Sequence, residues 1–273
     1  MKRSAMKIFL RFSCLLCLFL YGGVQELSAA DFHAILVGDF SSDDISQASA
    51  VDLENMQAEV TKIAKICGYT LQLKVIAEKN PIAQKVVEEI KNLAPKKRDI
   101  VFFYFSGHGY RTKKHGDSPW PNIDLPKENH GISLKGIIDA ISEKKAKLSI
   151  ILADCCNWKI PDTFAPPVMM KARKFESPER KEKKNAKSLF KESSGVIAIV
   201  SSTQGQAAYC TLKGSFYTRS FLQSLQHVMG NEKYVKWDMI FNETSKILKP
   251  MLDAHQLRQS PIVYMKLKQD VKM

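Results

Sequence analysis

The sequence is short of cysteine, of long apolar runs and of acidic charge, and each shortage excludes a class of protein. Six cysteines in 273 residues are too few for a disulfide-stapled scaffold. The apolar stretch 12–24 spans 13 residues, against the roughly 20 that cross a bilayer, and nothing later in the chain resembles a membrane span. Acidic residues number 28 against 41 Lys and Arg, a formal charge of +13. No internal repeat is present, and 13 glycines and 11 prolines exclude collagen-like sequence. A hydrophobic share of 45% with a mean hydropathy of −0.20 is that of a globular chain able to bury a core.

The first thirty residues read as an export leader. Lys2, Arg3, Lys7 and Arg11 accompany the apolar stretch, and Ser28-Ala29-Ala30 puts small residues at −3 and −1. This predicts cleavage after Ala30 and a periplasmic or secreted protein; an uncleaved N-terminal anchor is the alternative. Cleavage leaves 243 residues, 37 basic and 27 acidic, at +10. Cys67, Cys155, Cys156 and Cys210 remain.

Beyond the leader, apolar strands alternate with helical periods. Strands are expected at 33–40, 70–77, 99–105, 148–153 and 195–201, with an edge strand at 261–265. Helices are expected at 51–67, from Pro81 through 93, and at 134–141, 216–228 and 235–252. Buried strands interleaved with helices argue a mostly parallel sheet of about six strands covered on both faces, an α/β fold of three α/β/α layers. Residues 157–194 show no clear period. Within them, 171–191 hold nine Lys/Arg and three Glu around Ser177-Pro178, which reads as a basic loop.

Ligand sites of such sheets lie at the carboxyl ends of strands, and two strand ends carry unusual chemistry. Ser106-Gly107-His108-Gly109 follows one, its glycines expected to turn the backbone and expose the imidazole. Asp154-Cys155-Cys156 follows another. A Cys/His pair from neighbouring strand ends suits nucleophilic acyl transfer.

On these residues the chain resembles the caspase-like cysteine peptidases (clan CD, family C14), and within them the metacaspase and bacterial orthocaspase branch. Cys156 follows His108 by 48 residues, near the caspase spacing of about 50. Weaker support comes from Val51-Asp52…Met56 and from Gly214-Ser215-Phe216-Tyr217-Thr218. The resemblance implies His108 and Cys156 as catalytic dyad and the main-chain N–H groups of Gly109 and Cys156 as oxyanion hole. It also implies Asp154, Asp52 and Ser106 around the S1 pocket. Two acids there favour Lys or Arg at P1, and no arginine stands where animal caspases read aspartate. It further implies a cleavable linker at 171–191, with a cut between Lys171 and Lys187. Three features depart from the metacaspase pattern: Asn157-Trp158-Lys159 follows the nucleophile, 201–206 lacks acids, and Asp117 and Asp124 are too few for calcium.

The resulting expectation is a signal peptide at 1–30, a peptidase domain at 31–265 and a tail at 266–273. The domain divides into a large-subunit-like part at 31–156, a linker at 157–194 and a small-subunit-like part at 195–265. It is expected to be monomeric, to need no cofactor and no metal, and to act on protein or peptide substrates without nucleic acid. The alternative is an inactive caspase-like module that binds basic peptides or anionic surfaces. Cys155 is expected as a packed neighbour, and Cys67 and Cys210 as structural or incidental, a disulfide between them staying open. His115, His130 and His255 are expected as surface polar residues and Asp43-Asp44 as a solvated turn, with an extra specificity acid as its rival.

Overall fold

Strands that are apolar on both faces must be covered on both faces, and that requirement organises the molecule. A computed structural model describes residues 29–77, 83–125, 131–159 and 179–268. Its elements in chain order are β1 (Asp31–Gly38), α1 (Ser46–Cys67), β2 (Thr70–Ile76), α2 (Ala83–Asn92), β3 (Ile100–Ser106) and β4 (Gly109–Tyr110). Next come β5 (Asn122–Ile123), β6 (Ile132–Ser133), α3 (Leu134–Glu143), β7 (Leu148–Asp154), α4 (Glu179–Lys187) and β8 (Ser194–Val200). The chain closes with β9 (Cys210–Thr211), β10 (Gly214–Ser215), α5 (Phe216–Asn231), α6 (Trp237–Asp253) and β11 (Ile262–Lys268).

The main sheet has six strands in the order β11-β8-β7-β3-β1-β2. All neighbours are parallel except β11, which runs antiparallel to β8. Every residue of β3 and β7 is buried. Because successive strand residues face opposite sides, Leu36, Tyr104 and Leu152 pack with α1, α5 and α6, while Val37, Phe105 and Ala153 pack with α2 and α3. The three-layer expectation is met.

Helix α1 buries Leu53, Met56, Val60, Ile63 and Cys67 at spacings of three and four, and Gly68 closes it at φ 68°, a left-handed cap natural to glycine. It begins five residues before the expected start. Leaving β1 the chain enters the α1 layer; leaving β3 it enters the opposite layer through β4–β6 and α3. The two connections part company, and a crevice opens between the carboxyl ends of β1 and β3, the place where such sheets take ligands.

The linker differs from expectation. Its second half is not structureless: 179–187 form α4, and Ser188–Glu192 form a π-helical turn. Ala186, Leu189 and Phe190 are buried, Asn185 Nδ2 donates to the carbonyls of Met229 and Glu232 (2.9 and 2.8 Å), and Phe190 meets Trp237 edge-on at 5.2 Å. Lysines on the outer face masked the short apolar stripe. The first three residues of the expected tail, 266–268, instead extend β11 against β8. Residues 1–28, Pro81 and Ile82, His130, the linker at 160–178 and the rest of the tail, 269–273, lie outside the described residues.

Candidate active site

The crevice is built from two tight strand ends. From Ser106 the chain passes through Gly107, His108 and Gly109 into β4. A Cβ on Gly107 would sit 2.7 Å from Asp39 Cβ, and one on Gly109 2.4 Å from the Cys156 carbonyl oxygen and 2.7 Å from Cys155 Sγ. Neither glycine is among the described residues with positive φ. Close approach, not the expected sharp turn, is therefore what requires glycine here. It lays the Gly109 main chain alongside that of Cys155 and Cys156.

After β7 the segment is locked from below. Cys155 is buried, as expected; its N–H donates to Ser201 Oγ (3.1 Å) and its carbonyl accepts from Ser202 Oγ (2.8 Å). Asn157 is buried too. Its amide donates to the carbonyls of Pro119 (2.8 Å) and Ser202 (2.9 Å), and its Oδ1 accepts from Arg111 Nη1 (3.0 Å). Asn157 and the acid-free Ser201-Ser202 stretch, departures from the family pattern in the sequence, thus anchor the loop that bears Cys156.

His108 and Cys156 line one cavity of about 40 Å³, room for a few waters, with Ser106, Asp154, Cys210 and Ser215 also on its wall. Cys156 Sγ accepts the Ala208 N–H at 3.3 Å. Burial pushes the thiol up, with Asp154 and Asp44 adding to it and the Ala208 N–H opposing; the resting form is the protonated thiol.

Asp154, ending β7, is on the cavity wall, and Asp52, from α1, lies behind it, bonded to the wall residues Ser106 and Ser215. Both acids are buried. Asp52 accepts from Ser106 Oγ (2.9 Å), Ser215 N (2.9 Å) and Ser215 Oγ. Burial, reinforced by Asp154, raises its carboxyl to about 7. Asp154 Oδ2 accepts from Thr218 N (2.9 Å) and Thr218 Oγ1 (2.6 Å), while Oδ1 is buried without a hydrogen-bond partner; burial raises this carboxyl as well. The segment 214–218, weak support in the sequence, is what holds both. Arg219 feels the Asp52 charge but is not on the cavity wall.

Several outlying expectations change. Asp43 and Asp44 are both exposed in a turn, as expected, and Asp44 Oδ1 in addition lies 3.2 Å from His108 Nε2; a pair of acids after the strand bordering the crevice was the available signal. Asp124 is half-buried and feels His108, and burial raises its carboxyl. His115 is no bare surface residue: Nδ1 accepts the Thr112 N–H (3.0 Å) and Nε2 meets Asn122 Oδ1 (3.1 Å). His255 lies 6.1 Å from the Phe216 ring. Cys67 and Cys210 are both free, and Cys210 faces the cavity rather than being incidental. Among the described residues, one trio of side chains is close enough to share a metal ion: Asp31, His33 and Asp99. It sits at the opposite edge of the sheet, and the Asp99 oxygens already accept the N–H groups of Asp31 (2.9 Å) and Lys96 (2.7 Å). No described helix is long and apolar enough to cross a membrane.

No curated protein matches the sequence. Among solved structures, caspase-1 from Spodoptera frugiperda aligns with a TM-score of 0.51 at 12% identity, over 89% of this chain and 92% of that one; the likeness carries the fold. Residues 33–272 match the family profile described as caspase domain. With the match spanning most of the chain, the chain belongs to the caspase-domain peptidase family C14.

Proposed function

We propose that this protein is an exported cysteine endopeptidase that hydrolyses peptide bonds after Lys or Arg, with Cys156 and His108 as its catalytic pair. The observation that carries the reading is the shared cavity: thiol and imidazole line its wall, and the unpartnered Asp154 Oδ1 sits at its floor. A buried carboxylate oxygen without a donor is costly alone and favourable once a cation arrives. A P1 guanidinium or ammonium supplies that cation. Ser106 and Ser215 hold Asp52 in place.

The chemistry follows from the buried thiol. His108 takes the Cys156 proton as sulfur attacks the scissile carbonyl, and the tetrahedral oxyanion is held by the N–H groups of Gly109 and Cys156. His108 then protonates the departing amine, and water releases the acyl group. Lys171, Arg173 and Lys174, in the undescribed part of the linker, are the proposed self-cleavage sites; Lys181–Lys187 lie on α4 and are protected while it stays folded. Signal cleavage after Ala30 would start the mature chain at the first residue of β1.

One observation favours a second reading, a module that binds basic peptides without cutting them: Cys156 Sγ is engaged by Ala208 at rest. Fluorogenic peptides ending in Arg, Lys or Asp decide between them, tested on residues 31–273 beside Cys156→Ala. Cleavage after Arg or Lys, lost in the variant, is expected. Cleavage after Asp sinks the specificity, and binding without cleavage favours the module. Linker fragments formed by wild type and not by Cys156→Ala are the matching test of self-processing.

A further inference from the structure

The turn that carries Asp44 is pinned to the strand that carries the histidine. Asp39, buried at the end of β1, accepts the Ser41 N–H (3.0 Å), the Ser41 hydroxyl (2.6 Å) and the Ser42 hydroxyl (3.0 Å). Its own N–H donates to the Ser106 carbonyl at 2.9 Å, two residues before His108. The Ser42 carbonyl then receives the N–H groups of Ile45 (3.2 Å) and Ser46 (2.9 Å) as α1 begins. Asp44 is thus bracketed by hydrogen bonds on both sides, with Oδ1 3.2 Å from His108 Nε2. The carboxylate is 44% exposed and the ring 13% exposed.

We propose that Asp44 is the positioning residue of His108: its carboxylate accepts the Nε2–H, fixes the ring's plane and tautomer, and so assigns proton exchange with Cys156 to Nδ1. The proposal rests on Cys156 and His108 being the catalytic pair. In the first step the Cys156 S–H bond breaks, the proton passes to Nδ1, and the sulfur keeps the electron pair that forms the bond to the substrate carbonyl. The imidazolium so formed faces the Asp44 carboxylate, which stabilises it. In the second step the same proton leaves for the departing amine.

The charged groups around the ring come from three directions. Asp44 stands in the turn before α1, Asp124 follows β5 with Asp39 acting on it, and Cys156 follows β7 under the influence of Asp154 and Asp44. Asp124 reaches His108 through its backbone, its N–H donating to the His108 carbonyl at 2.9 Å. Asp44 Oδ1 meets a ring nitrogen directly, at 3.2 Å.

The test reads Cys156 alkylation by iodoacetamide, followed on the Cys156 peptide by mass spectrometry, together with kcat and KM for an Arg-ended peptide. Both are measured in wild type, His108→Ala, Asp44→Asn and Asp44→Glu. Alkylation of Cys156 in Asp44→Asn should slow part of the way to the His108→Ala rate. kcat should fall about tenfold with KM within about twofold, and Asp44→Glu should recover most of the loss. Unchanged alkylation in Asp44→Asn, or a rise in KM with kcat intact, overturns the positioning role while the catalytic pair stands. Alkylation and turnover indifferent to His108→Ala overturn the pair itself, and Asp44's role with it.

Discussion

Two ends of one sheet each hold a histidine beside an aspartate, and they are put to different uses. At the amino ends of β1 and β3, His33 Nε2 lies 3.4 Å from Asp99 Oδ2, and Asp99 also accepts two main-chain N–H groups. Although Asp99 is buried, those donors and His33 hold its carboxyl below the usual range. At the carboxyl ends, His108 meets the half-exposed Asp44, and the buried acids beneath them are under-satisfied: Asp52 and Asp154 are both raised and one oxygen has no donor. The first arrangement is complete without a ligand. The second leaves one buried carboxylate oxygen without a donor. On the proposed function, what separates the two ends is the under-satisfied acids beneath the pair more than the residue types of the pair.

The contrast is tested most severely by removing each imidazole. His108→Ala should lower kcat/KM by about 10³-fold, whereas His33→Ala should leave it within about twofold and show itself as a loss of a few degrees in Tm. Equal losses of activity would break the distinction. Asp154→Asn should cost about 100-fold in kcat/KM on Arg-ended peptides, the loss falling in KM. Asp99→Asn should instead reduce stability by about 1–3 kcal/mol, measured by urea unfolding, with turnover per folded molecule unchanged.

A pH-resolved measurement sharpens the comparison. Asp52 has its carboxyl raised from 3.8 to about 7 in the fold. Between those values the folded state holds the proton more tightly than the unfolded chain, so stability falls as pH rises through that window and levels off above it. Asp52→Asn should therefore gain on the order of 2 kcal/mol relative to wild type at pH 8, little at pH 4, while losing basic-P1 cleavage. A destabilised variant at pH 8 would mean the acid is already compensated. The smallest effect belongs to Asp99. Its depressed carboxyl contributes stability that is present above its unfolded pKa and is lost as pH falls through the folded one. Wild-type Tm should decline in that acid range, and Asp99→Asn should flatten the decline.

The sheet was legible in the chain because continuous apolar runs such as IVFF and SIIL have no alternative to burial on both faces. The dyad candidates were legible because glycines and paired cysteines stand directly at strand ends. The contact of Asp44 with His108 was not, since an exposed acid pair in a turn shows no ring partner until the turn is closed against β3 by Asp39. Nor was α4, whose anchoring residues are three among many lysines.

Sequence by itself determined the layer architecture and the family resemblance, and through that resemblance it put forward His108, Cys156 and the acids Asp52 and Asp154 as site residues. Only the tertiary structure decided how those acids are held. It brought Ser215 and Thr218 from the start of α5 onto carboxylates more than sixty residues away in the chain. It also left Asp154 Oδ1 without a donor. Periodicity reports which face of an element is buried, but hydrogen bonds across such separations depend on how the layers dock, and that docking is what makes a cleft out of two strand ends.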